Sequence, residues 1–308
     1  MLVNKLNYAA KTFEIKLRSI LPINLKLFSS EVSSHREKLM KRGLPKQKPI
    51  DGVKSIVLVS SGKGGVGKST IASNIAAGIK FIYPEKNVGL LDADIFGPTI
   101  PSMMNLNDRP FLTEKNLMEP LVNYGIKCMS FGFLIEEGSP VIWRGLMVMQ
   151  ALEKLMRQVD WGEIDYLIID TPPGTGDTHL SLVQNLPING VVLVTIPQSA
   201  ALEVTKRGAL MYKKLSIPII GLVENMNIVK CPSCSKDISV FGEGTQTLAD
   251  ELNIEILEKL PLEPSISAAG NRGVPIVLDS NNDQAVSFKN LAKKVVNFLS
   301  LSESENIG

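Results

Sequence analysis

From residue 53 onward the chain alternates between short apolar runs rich in β-branched residues and longer stretches with helical spacing. The runs Ile56–Ser60, Val88–Asp92, Ile126–Phe131, Tyr166–Asp170, Val191–Ile196 and Ile219–Glu224 are continuously apolar rather than alternating. Runs of that kind predict strands covered on both faces. A shorter strand is expected near Ile254–Leu257. Helices are predicted over Thr70–Tyr83, Leu146–Gln158 and Leu202–Leu215. Repeated strand–helix alternation implies an α/β fold, a mostly parallel sheet flanked by helices, with ligands at the carboxyl ends of the strands. No internal repeat or low-complexity tract interrupts it, so residues 53–300 read as one domain and 301–308 as a tail.

The first residues break this pattern. Residues 1–30 mix aliphatic positions with five basic side chains (Lys5, Lys11, Lys16, Arg18, Lys26) and one acid, Glu14. This is the make-up of a mitochondrial presequence, a cationic amphipathic helix drawn toward a negative compartment, and it predicts the mitochondrial matrix. A frayed basic tail would share the composition. Residues 31–52, charged and punctuated by Pro and Gly, read as a linker.

Charge and cysteine content then narrow the function classes. Removing residues 1–30 from the totals of 33 basic and 31 acidic side chains leaves 28 and 30. A body so near neutrality carries no electrostatic footprint for nucleic acid. No apolar run reaches the length of a membrane-spanning helix. Three cysteines among 308 residues do not suggest a disulfide scaffold.

The chemistry begins at SSGKGGVGKST, residues 60–70. Gly62, Gly67, Lys68 and Ser69 satisfy the phosphate-loop spacing G-x-x-x-x-G-K-[ST], between a predicted strand and a predicted helix. Glycines let such a loop turn its backbone N–H groups onto phosphates at a helix start. The binding set is therefore Gly62, Lys63, Gly64, Gly65, Val66, Gly67, Lys68, Ser69 and Thr70. Lys68 is expected to reach the β- and γ-phosphates, and Ser69 to ligate Mg²⁺. Asp170 closes the YLIID strand, where a carboxylate holds the metal through water. The TPPGTGD that follows suits a loop that rearranges when a γ-phosphate is lost. Of Asp92 and Asp94 in VGLLDAD, Asp94 is the better candidate to orient attacking water, because it lies past the strand; Asp92 reads as structural.

Cys231 and Cys234 form a C-x-x-C pair without a second pair in the chain. Two thiolates at that spacing face one metal but half-fill a tetrahedral site. Iron–sulfur ligation, zinc and redox chemistry all remain open on the residues alone; two chains giving two thiolates each is the economical arrangement. Cys128, inside an apolar run, reads as a small buried hydrophobe.

Together GKGGVGKST, LLDADIFGPTIPSMM, WRGLM, DYLIIDTPPGTGD and GLVENM resemble the Mrp branch of the MinD/ParA/nitrogenase-iron-protein ATPases, over roughly residues 40–300. The resemblance implies a weak ATPase that carries an iron–sulfur cluster. It implies a homodimer with a [4Fe–4S] cluster bridged by Cys231 and Cys234 of both chains. It gives Lys63 a role in trans on the partner's phosphates and Asn225 a hydrogen bond to adenine. For mitochondrial members it implies respiratory complex I subunits as acceptors. Trp143 and Arg144 match a family motif without a mechanism attached.

Two other classes compete. A spatial-organiser ATPase acting on a membrane surface draws support from DQAVSFKNLAKKVVNFLSL. There Ala285, Phe288, Leu291, Ala292, Val295, Val296, Phe298 and Leu299 share a helical face opposite Lys289, Lys293 and Lys294; packing of that face on the domain is the favoured expectation. An ordinary phosphotransferase would need an acceptor pocket that the sequence does not display.

Overall fold

Seven of the nine residues of β1 (Val53–Ser61) are buried, as expected for a strand covered on both faces. The computed structural model describes residues 47–135, 145–174 and 176–305. The expected presequence, residues 31–46 of the expected linker, Trp143, Arg144 and residues 306–308 lie outside them.

After β1 come α1 (Lys68–Ile82), β2 (Val88–Asp92), the short α2 (Ile100–Met103), β3 (Leu121–Asn123) and β4 (Ile126–Ser130). Then follow α3 (Gly145–Arg157), β5 (Ile164–Asp170), α4 (Asp177–Asn185), β6 (Gly190–Thr195), α5 (Ser199–Lys214) and β7 (Ile219–Asn225). A small hairpin, β8 (Val229–Lys230) with β9 (Asp237–Ile238), precedes α6 (Thr245–Leu252), β10 (Ile256–Leu260), α7 (Pro264–Asn271) and α8 (Gln284–Glu305).

Eight strands form one sheet in the order β10-β7-β6-β1-β5-β2-β4-β3. All neighbours are parallel except β3 and β4. The chain leaves β1 outward to β2 and β4, returns to β5 beside β1, then crosses to β6 on the other side. The loops after β1, β5 and β7 therefore open at the same sheet end, where an open α/β sheet binds its ligand. Crossovers of this kind are right-handed, so connections running in opposite directions from β1 put α1 and α5 on opposite faces.

α8 packs on α1. Ala285, Phe288, Leu291, Ala292, Val295, Val296 and Leu299 are buried, and Phe298 packs half-buried against the core. At Gly78 an added Cβ would stand 2.8 Å from the Cβ of Ala292, so the two helices approach at small residues. The apolar face that would have suited a bilayer is thus spent inside the domain. Each large side chain so buried contributes about 1.5–3 kcal/mol. On the outer side Lys294 pairs with Glu255 at 2.8 Å, and Lys289 lies 4.2 Å from the centre of the Phe81 ring.

The last residues before β1 are docked. Arg157 donates to the carbonyls of Lys48 (3.0 Å), Pro49 (2.8 Å) and Asn185 (3.1 Å), and Ile50 is buried.

Candidate functional site

β1 delivers Ser61 to the sheet end, and the phosphate loop turns there into α1. Gly65 (φ +79°) and Gly67 (φ +85°) adopt left-handed backbone that L side chains resist. Gly62 answers to space instead: a Cβ there would come within 2.7 Å of the Thr205 backbone nitrogen in α5. Buried Val66 pins the loop to the core. Ile71 N–H donates to Gly67 C=O at 3.0 Å, so α1 starts at Lys68, two residues before the sequence-based start.

Lys68, buried in the first turn, sets its Nζ 2.5 Å from Asp170 Oδ1 and 3.4 Å from Ser69 Oγ. Asp170 is fully buried; its Oδ2 has no hydrogen-bond partner among the described residues. Burial raises its pKa against the attraction of Lys68. An orphaned carboxylate oxygen near a serine hydroxyl suits a hard cation such as Mg²⁺, and these oxygen donors fit that ion.

Asp92, also fully buried, brackets the next loop. Its carboxylate accepts from Asp94 N–H (3.1 Å), Thr99 N–H (3.1 Å), Ile100 N–H (3.2 Å) and Ser130 Oγ–H (3.0 Å). Burial, then the neighbouring Asp170 charge, push its pKa up to about 7. Asp94, held by its backbone, lines a cavity of about 260 Å³ with Gly64, Gly65, Lys68, Ser69 and Pro173. Asp92 does not line it.

A second cavity of about 360 Å³ adjoins the first and shares Gly67, Thr70, Thr99 and Met103 with it. Its walls include Asn225, Met226, Pro261, Leu262 and Ile266. Polar at the phosphate loop and apolar beyond, the two form one trough of the kind that takes a nucleotide. Asn225 Nδ2–H donates to Val66 C=O at 2.9 Å, tying the end of β7 to the loop. Gly67 lies so close that a Cβ would fall 2.3 Å from that Nδ2.

Lys63 stands apart. Its exposed ammonium donates to Gln198 Oε1 at 3.0 Å, at the start of α5, and it does not line the phosphate cavity of its own chain.

The cysteine pair sits at the tip of the β8–β9 hairpin, which leaves the sheet a few residues after Asn225. Val229 pairs with Ile238 and Lys230 with Asp237. Cys231 N–H donates to Lys236 C=O at 2.9 Å, and Ser235, at φ +57°, returns its N–H to Cys231 C=O at 2.8 Å. The Cys231 thiol accepts from the backbone N–H of Ser233 and of Cys234, and its pKa is lowered. Cys234 is exposed. Among the described residues no group of three or more His, Cys, Asp or Glu converges on a metal position, so this tip offers two thiols. Cys128 is fully buried and its thiol is pushed far up by burial.

Sequence reasoning missed Thr99, Met103, Met226, Pro261, Leu262 and Ile266. Only the two prolines of PLEP after β10 marked a loop there; nothing local tied it to the phosphate loop.

Comparison with known proteins agrees with this geometry. The family profile described as ParA, NUBPL iron-transfer P-loop NTPase, matches residues 52–296. The chain is 50% identical over 276 residues to the iron-sulfur cluster transfer protein NUBPL of Mus musculus, covering 89% of this chain and 86% of that one. It is 45% identical over 249 residues to an Arabidopsis thaliana iron-sulfur protein required for NADH dehydrogenase, mitochondrial (80% and 79% covered). Among solved structures, a nucleotide-binding protein of Archaeoglobus fulgidus in complex with ADP superposes with a TM-score of 0.63 at 34% identity, over 73% of this chain and 89% of that one. The chain belongs to the NUBPL iron-transfer family of ParA-type P-loop NTPases.

Proposed function

We propose that this protein is an iron–sulfur cluster carrier in which two copies hold a [4Fe–4S] cluster between them and pass it to acceptor proteins under control of ATP. The observation that carries this reading is the cysteine hairpin: an exposed two-thiol tip, one thiol tuned toward thiolate, rooted beside the nucleotide trough. Two thiols are half of a four-thiolate set, and a second copy supplies the other half. A cluster held across an interface is released when the subunits shift, and a nucleotide at the same interface can drive that shift.

In this reading the phosphate loop, with Lys68, holds the triphosphate. Ser69 and Asp170 hold Mg²⁺, which neutralises phosphate charge when bound. Asp94 orients the attacking water, and Asn225 meets the adenine. Lys63, outside its own chain's cavity, leaves Gln198 and reaches the partner's phosphates. The relatives carry iron–sulfur names, and the Arabidopsis protein's name supports complex I subunits as acceptors. The basic segment 1–30 and the mitochondrial relative support delivery to the matrix.

Anaerobic iron and sulfide analysis of the purified protein, with its absorption spectrum and mass in solution, tests the reading. The wild-type protein should bind one four-iron cluster per dimer, as the proposed site requires. Cys231→Ser/Cys234→Ser should lose it while still binding ATP. A full cluster signal in the double variant sinks the proposal.

A further inference from the structure

His179, in the first turn of α4, is a buried titratable group that the nucleotide trough does not use. It is 1% exposed, and its Nε2 meets the hydroxyl of Tyr212 in α5, with the two rings edge to face at 5.5 Å and 60°. Tyr212 is fully buried and bonds in turn to the side chain of Ser60, the penultimate residue of β1.

The direction of this relay follows from the protonation states. Burial pushes the His179 pKa down to about 4, with the Pro172 carbonyl acting the other way, so near pH 7 the ring is neutral and carries one N–H. Burial pushes the Tyr212 pKa up, so the phenol keeps its proton. The Ser60 contact acts to lower it, the mark of a hydroxyl that donates to the phenol oxygen. Tyr212 O–H then donates to Nε2, which leaves the ring proton on Nδ1. Nδ1 is buried and makes no hydrogen bond of ordinary geometry among the described residues. The Pro172 carbonyl is nevertheless near enough to the ring to act on its pKa. A buried donor that falls short of a neighbouring acceptor is costly, and a small turn of the acceptor's peptide relieves the cost.

That peptide leads into Pro173. Proline has no N–H, so the Pro172 carbonyl is the one group by which this peptide plane can be hydrogen-bonded. The loop is tied to β1 on both sides of it. Thr171 N–H and Oγ1–H donate to Val59 C=O at 3.2 and 3.0 Å, and Gly174 N–H donates to Ser61 C=O at 2.8 Å. Pro173 itself lines the phosphate cavity, and its Cγ stands 4.0 Å from where a Cβ on Gly64 would be. Turning the plane between the ties therefore moves the Pro173 ring against the phosphate loop.

We propose that His179 is a positioning residue for ATP hydrolysis: with the triphosphate bound, its Nδ1–H takes the Pro172 carbonyl and sets Pro173 against the phosphate loop. The inference rests on the nucleotide chemistry of the proposed function and adds a sensor behind the loop that follows Asp170. With the diphosphate the bond stays unmade.

The chain holds two histidines, His35 and His179, so nitrogen NMR of the full-length protein labelled at histidine reads the ring directly, with His179→Gln as the assignment control. An Nδ1–H tautomer is expected. Its proton should shift downfield and resist exchange with a non-hydrolysable ATP analogue and Mg²⁺, but not with ADP and Mg²⁺. Two amides then separate positioning from packing, since Asn sets its nitrogen where Nδ1 stands and Gln where Nε2 stands. His179→Gln should lower kcat for ATP about tenfold with KM within about twofold, and His179→Asn should restore kcat to within about threefold of wild type. If His179→Gln does not fold, Tyr212→Phe carries the kinetic arm: it removes the hydroxyl that fixes the ring proton and should slow turnover at least about threefold at unchanged KM. An Nε2–H tautomer, the same Nδ1–H signal in both nucleotide complexes, or wild-type turnover in the folded variant overturns the proposal. Calorimetry and hydrolysis on the wild type come first. Absence of ATP binding or turnover there brings down the nucleotide reading itself, whereas normal binding and turnover with any of those three results brings down the role of His179 alone.

Discussion

Replacing Gly67 with alanine separates two costs that coincide at the phosphate loop. The residue sits at φ +85°, ψ +21°, where an L side chain costs about 1–2 kcal/mol. Its new Cβ would also stand 2.3 Å from Asn225 Nδ2 and drive that amide off Val66 C=O, now 2.9 Å away. Losing a buried hydrogen bond with its partner left unsatisfied adds about 1–3 kcal/mol. Gly67→Ala should therefore lower stability by about 2–5 kcal/mol. Gly65 is the control: it has φ +79°, and a Cβ added there would meet nothing within 4 Å, so Gly65→Ala should cost about 1–2 kcal/mol from the backbone alone. Urea unfolding of the nucleotide-free protein measures both. In an Asn225→Ala background, Gly67→Ala should fall to the cost of its control, since the clash has gone. Equal losses in the two alanine variants, or a Gly67→Ala cost indifferent to Asn225→Ala, would refute the assigned contact.

Removing Asp170 strands the buried Lys68 ammonium. Asp170→Ala should lose about 3–5 kcal/mol by denaturant unfolding, and its ATP affinity should no longer respond to added Mg²⁺. Asp92 titrates at about 7 in the fold against 3.8 as a free side chain, so between those values the native state holds the extra proton and stability falls as pH rises. The slope is up to about 1.4 kcal/mol per pH unit for one proton. Asp92→Asn should flatten unfolding free energy against pH over that window, and an unchanged profile would contradict the assignment. Lys63→Ala should keep ATP affinity, because its ammonium lies outside its own phosphate cavity, yet slow steady-state hydrolysis; full turnover counts against action in trans.

How much was legible depended on how locally each feature is encoded. Val88–Asp92 agrees at both ends, and the other central strands lie within a few residues, because full burial on two faces writes itself as a continuous apolar run. β3 was missed: three residues, none fully buried, on an antiparallel edge carry no such run. The two-residue strands β8 and β9 hold the cysteines but are set by a turn rather than by burial. The short helices α6 and α7 span about two turns each, too little for helical spacing to stand out. α8 shows the opposite case: its apolar stripe was plain, and only the contact with α1 distinguished packing from a surface-seeking face. At the site, the phosphate loop was readable because its turn needs glycines at fixed spacing. The apolar wall of the trough was not, because Met226, Leu262 and Ile266 meet Gly67 only through the pairing of β7 with β10.

In the proposed function, that wall gives a bound nucleotide a route to the cysteines. Asn227 N–H donates to Leu260 C=O at 3.0 Å, and Leu262 N–H donates to Ile228 C=O at 2.7 Å. The segment that walls the trough is therefore laced to the leg that launches the β8–β9 hairpin. Met226, at φ +55°, turns the chain from β7 into that leg and lines the trough. In the proposed function, a base taken between Met226 and Leu262 would load the same few residues from which Cys231 is hung. A cavity lined by Glu224 and Thr245 also takes in Ser239, on the second leg. A short hairpin rooted beside the trough can change the direction of its tip without disturbing the sheet, because the strands end before it begins.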